Sequence, residues 1–123
     1  MFKIDIHTHI LPGNLNKLTE TFSDPRFLQL DKLDEQNAIL KKDQQSFRKV
    51  GCNCWHAPER IKDCNKTDVD MQVLSTIPVL FSYWADDAEC LKLSQFLNDH
   101  IFHIVQENPE YFLGLGTIPM QNT

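Results

Sequence analysis

Apolar and polar residues alternate through Phe2-Lys3-Ile4-Asp5-Ile6, which predicts a short β-strand closed by a turn at Leu11-Pro12-Gly13. Residues 14–56 are largely polar, with apolar patches at Phe27-Leu28, Ala38-Ile39-Leu40 and Phe47 to Val50. These patches are too short for helices. A structureless loop of this length is unusual in a compact domain, so a small antiparallel sheet is expected there. From Ala57 the pattern becomes regular. Pro58 and Glu59 suit the first turn of a helix that places Ala57, Ile61 and Cys64 on one face and stops near Thr67. Met71 to Ile77 reads as a mostly buried strand ended by Pro78. Asp86-Asp87-Ala88-Glu89 has the form of a capping box. The helix behind it carries Leu93, Leu97, Ile101 and Ile104 at helical period and ends at Asn108-Pro109. Phe112 to Ile118 reads as a third strand, closed by Pro119.

Strands alternating with helices predict parallel pairing and right-handed crossovers. The expected fold class is α/β: the N-terminal part of a (β/α)₈ TIM barrel, with about three barrel strands and a β-rich insertion after the first. Residues 1–123 are expected to form one incomplete barrel domain, with the insertion at about 14–56. The third strand, with no helix after it, is expected to leave apolar surface uncovered and to favour self-association.

Hydrophobic residues make up 41% and charged residues 24% of the chain, which argues against disorder. The 12 Lys and Arg against 17 Asp and Glu give a formal charge of −5, which argues against a nucleic-acid partner or a polybasic membrane surface. No apolar run approaches the roughly 20 residues of a membrane span. Met1 to Asp5 lacks the apolar stretch of a signal peptide, so a cytosolic protein is expected. Under those conditions Cys52, Cys54, Cys64 and Cys90 are expected to be free thiols, and the Cys52-Asn53-Cys54 spacing fits neither a redox motif nor the usual zinc knuckle.

The sharpest chemical signal is His7-Thr8-His9. Residues two apart on a strand point the same way, so both imidazoles can face one metal ion at the C-terminal end of the first strand. Neutral imidazole suits Zn²⁺. The competing reading is two surface histidines in a loop. His56 lies in a loop and is able to approach this end, while His100 and His103, three apart on the second helix, read as surface histidines. Arg48 is either a solvated surface arginine or a planar clamp for a substrate carboxylate. Trp55, Tyr83 and Trp84 either line a pocket or pack.

Ile4 to Pro12 resembles the opening of the amidohydrolase superfamily. Phe47-Arg48, Asn53-Cys54-Trp55, Leu74 to Ala85 and Phe112 to Gln121 are more closely similar to the family of aminocarboxymuconate-semialdehyde decarboxylases, and nearly all the chain takes part in the match. The resemblance implies a zinc-dependent barrel enzyme of the cytosol. Its reaction is the non-oxidative decarboxylation of 2-amino-3-carboxymuconate-6-semialdehyde in tryptophan (kynurenine) breakdown, which limits quinolinate and NAD synthesis. It implies that His7 and His9 are zinc ligands and that Arg48 binds a substrate carboxylate. The family's remaining ligands and its acid/base histidine lie on later strands, so no catalytic residue is identified in this segment. Cys64, Asn65 and Asp68 stand where the family has Met-Asp and a helix-stopping Gly, and His56-Ala57 replaces an acid after Trp55. Two alternatives remain: a non-catalytic short product or partner of a full-length chain, and a metal-dependent hydrolase of the same superfamily.

Overall fold

The computed structural model describes residues 1–122. The first strand, β1, is Ile4–Ile10, followed by a one-turn helix α1, Asn16–Thr19. Three strands then follow: β2, Gln29–Lys32; β3, Asn37–Lys42; and β4, Gln45–Gly51. Next come α2, Ala57–Lys66; β5, Met71–Thr76; α3, Asp87–Glu107; and β6, Phe112–Gly114. β1, β5 and β6 form a parallel sheet in the order β1-β5-β6. β2, β3 and β4 form a separate antiparallel sheet between β1 and α2.

The α/β expectation therefore holds, and both helices fall where the periodicity puts them. Pro58 occupies the first turn of α2. The Asp86 carboxylate caps α3 by accepting from the Ala88 and Glu89 N–H groups. Three boundaries differ. β1 starts two residues later and runs four further, because pairing continues through His9 opposite Ser75 and Ile10 opposite Thr76. α1 had no periodic signal. β6 ends at Gly114 and not at Ile118, because the Thr117 backbone turns to α3: its N–H donates to Asn98 Oδ1 (2.7 Å), and its carbonyl accepts from Asn98 Nδ2 (2.9 Å).

Two apolar clusters hold these parts together. Ile10, Leu74, Ile101, Ile104 and Phe112 join the parallel sheet to the helices, with Ala57 and Ile61 of α2 packed against them. Leu15, Phe27, Leu30, Leu40, Leu93 and Leu97 join the antiparallel sheet to the first half of α3. Both helices cover one face of the parallel sheet, the face of Leu74, Thr76 and Phe112. Alternation then turns His7, His9, Val73, Ser75 and Leu113 to the opposite face. Among the described residues, no helix is long and apolar enough to cross a membrane.

Candidate active site

His7 and His9 lie within β1, not in a loop beyond it. The pairing of β1 with β5 shifts register between Asp5 and Thr8 and then resumes, so both imidazoles still leave the strand on the uncovered side. Their ring centroids are 5.0 Å apart and the rings stand edge to face. His7 is exposed and His9 half-buried. Burial first, and then the neighbouring His7, push the His9 pKa below its ordinary value, against an opposing pull from the backbone of Thr76. The net effect keeps the ring neutral at pH 7, the form that binds a metal. Nδ1 of His9 lies 2.9 Å from Oγ of Ser75.

Arg60 of α2 underpins this strand end. Its Nη2 donates to the His9 carbonyl (2.6 Å), its Nε to the Asn53 carbonyl (3.1 Å) and its Nη1 to Gln72 Oε1 (3.3 Å). One step further along β1's exit, the Leu11 N–H donates to the Cys54 carbonyl at 3.0 Å. The segment leading into α2 is thereby bonded to the end of β1. Arg48 projects from β4 opposite Leu40 and is exposed. Burial raises the Cys54 pKa, while the charges of Arg60 and Arg48 pull it back.

The other candidates separate from this pair. His56 precedes α2 and, with Trp55, Lys32, Cys52 and Glu59, lines a cleft of about 650 Å³ whose walls include neither His7 nor His9. His100 is not the surface histidine expected: it is half-buried, and its Nε2 is buried without a hydrogen-bond partner. Its neighbour His103 is exposed, with Nδ1 2.6 Å from the Asp99 carbonyl. Trp84 packs on Phe27 (centroids 4.9 Å apart) under the Arg26 guanidinium (4.2 Å), and Tyr83 stacks on Phe81. The four cysteines are free.

The donor chemistry of the pair fits Zn²⁺: two adjacent imidazoles, one held neutral, at the C-terminal end of a parallel strand. Among the described residues, no three His, Cys, Asp or Glu side chains converge on one point. His7 and His9 thus provide two donors of a larger set.

No family model matches the chain. It is 48% identical over 121 residues to the 2-amino-3-carboxymuconate-6-semialdehyde decarboxylase of Dictyostelium discoideum, covering 98% of this chain and 34% of that protein. It is 40% identical over 120 residues to the protein of the same name from Caenorhabditis elegans, covering 98% and 30%. The chain is a relative of these decarboxylases. It spans about a third of their length. Among solved structures, IDCase of Metarhizium anisopliae in apo form superposes with a TM-score of 0.73 at 14% identity, over 97% of this chain and 35% of that one. The 5-carboxyvanillate decarboxylase of Sphingomonas paucimobilis gives 0.65 at 18% identity, over 98% and 36%. At those identities the likeness is one of fold. It identifies β1, β5 and β6, with α2 and α3, as part of a (β/α)₈ barrel.

Proposed function

We propose that this chain carries the first part of the site of a zinc-dependent carboxy-lyase of the amidohydrolase superfamily. The substrate is 2-amino-3-carboxymuconate-6-semialdehyde, the product is 2-aminomuconate semialdehyde, and the setting is tryptophan catabolism in the cytosol. The observation behind this reading is the adjacent His7–His9 pair at the end of β1, in a chain 48% identical to a decarboxylase of that name.

His7 and His9 would hold the metal through their ring nitrogens. When bound, zinc supplies Lewis acidity for activating water and polarising a conjugated substrate. Arg60 contributes by fixing the His9 backbone, so that the ring leaves the strand in one direction. Arg48, a permanent cation with a planar fork, orients a substrate carboxylate by charge-assisted hydrogen bonds.

Zinc content and carbon dioxide release from the semialdehyde, measured in one preparation of this segment within a chain of the relatives' full length, test this. The expected result is that His7→Ala and His9→Ala each lose most of the bound zinc, and that turnover falls in step. Zinc retained in both variants removes the ligand assignment, and a zinc-loaded full-length chain without turnover removes the decarboxylation.

A further inference from the structure

Ser75 stands opposite His9 in the parallel pairing of β1 with β5, on the same uncovered face. Its Oγ lies 3.0 Å from the Thr8 carbonyl oxygen and 2.9 Å from His9 Nδ1. A serine hydroxyl has one proton to donate and lone pairs to accept with. The Thr8 carbonyl is acceptor only, so the hydroxyl proton goes to it. A lone pair is what Ser75 then turns to His9, and a lone pair is satisfied only by an N–H. Nδ1 therefore carries the hydrogen. A neutral imidazole has a single N–H, so Nε2 keeps its lone pair.

We infer that Ser75 is a positioning residue: relayed from the Thr8 carbonyl, its hydroxyl holds His9 as the Nδ1–H tautomer and leaves Nε2 free to bind the metal. This rests on the reading of His7 and His9 as metal ligands. The arrangement is built into the sheet. The carbonyl belongs to β1, one residue before the histidine it orients, and the serine belongs to the partner strand. The β1–β5 register thereby sets the state of the ring. A second side-chain bond across the same two strands, Thr8 Oγ1 to the Val73 carbonyl at 3.0 Å, holds that register beside it.

Two readouts test the assignment. Nitrogen NMR of the histidine-labelled, metal-free chain at a pH where His9 is neutral reports the tautomer. Titration with zinc chloride reports affinity. The unsubstituted chain is expected to show His9 with hydrogen on Nδ1. Ser75→Ala is expected to redistribute that hydrogen between the two nitrogens and to weaken zinc by about ten- to a hundredfold. Ser75→Thr, which keeps the hydroxyl, is expected to restore both. If Ser75→Ala disturbs the sheet, Ser75→Val against Ser75→Thr repeats the comparison at nearly equal volume. An unchanged tautomer on loss of the hydroxyl overturns the inference, as does a shifted tautomer with unchanged zinc affinity. Zinc binding that ignores His7→Ala and His9→Ala overturns the metal reading instead, and the metal-free tautomer still decides whether Ser75 holds the ring.

Discussion

Arg60 shows how much of this site depends on a side chain that is not itself a candidate for the chemistry. Its guanidinium reaches three acceptors on three segments: the His9 carbonyl of β1, the Asn53 carbonyl and Gln72 Oε1 of β5. Burial lowers its pKa, and it remains a cation. Lysine carries the same charge on one nitrogen and cannot reproduce that fork. Arg60→Lys is therefore expected to cost about 1.5–3 kcal/mol, the range for a hydrogen bond to a charged group, read from denaturant midpoints. An unchanged midpoint would mean that the fork does not hold the strand end. Nothing around Pro58-Glu59-Arg60 signals this role, because position 60 of an isolated helix reads as solvent-facing. Burial arrives only when β1 and β5 pack beside it. Ser75 was equally silent, hidden in an apolar strand. The His7–His9 pair was legible for the opposite reason: strand alternation is local and needs no partner.

At the level of elements, the helices were readable because their termini carry their own chemistry. Asp86 caps α3 from within the segment it starts, and Pro58 occupies a first turn that lacks partners for its N–H groups anyway. The end of α2 is less well made. The Val69 N–H donates to the Cys64 carbonyl at 3.0 Å, the six-to-one bond of a Schellman cap. That cap needs a left-handed residue at position 68, and Asp68 supplies it at φ 52°. A side chain with a Cβ pays for that backbone where glycine does not. Asp68→Gly is therefore expected to raise stability by up to about 1 kcal/mol, the lower end of the left-handed cost, less the extra freedom glycine gives the unfolded chain. Asp68→Ala should fall below the unsubstituted chain, since alanine has no short polar side chain to ease the turn. A reversed order of the two variants in thermal melts would refute this account of the cap. The antiparallel segment was harder to read. Its apolar patches mark strands, but α1 has no period, and the β3–β4 turn sets two non-glycine residues, Asp43 and Gln44, at positive φ where Asn-Gly is the usual signal.

On the scale of the whole molecule, the parallel order β1-β5-β6 followed from alternating strands and helices, whereas the seating of residues 14–56 did not. That seating depends on long-range contacts such as Phe27 against Trp84 and Leu40 within the α3 cluster, which no local pattern encodes. The same architecture gives the sheet two unlike faces. α2 and α3 cover one. On the other, Leu113 is 48% exposed and Leu115 56%, while β6 lies at one edge of the sheet. An apolar face beside an edge strand is a template for association. We therefore expect the chain to self-associate through the third strand, seen as a sedimentation coefficient that rises with concentration. Leu113 and Leu115 lie two apart, so lysine at both puts charge on one stretch of that surface. Because both are already exposed, the paired substitution Leu113→Lys and Leu115→Lys should change stability by no more than about 0.5 kcal/mol while restoring a concentration-independent monomer. Association that persists in the substituted chain would move the contact away from β6, and a monomer at every concentration of the unsubstituted chain would show that the open face is tolerated in water.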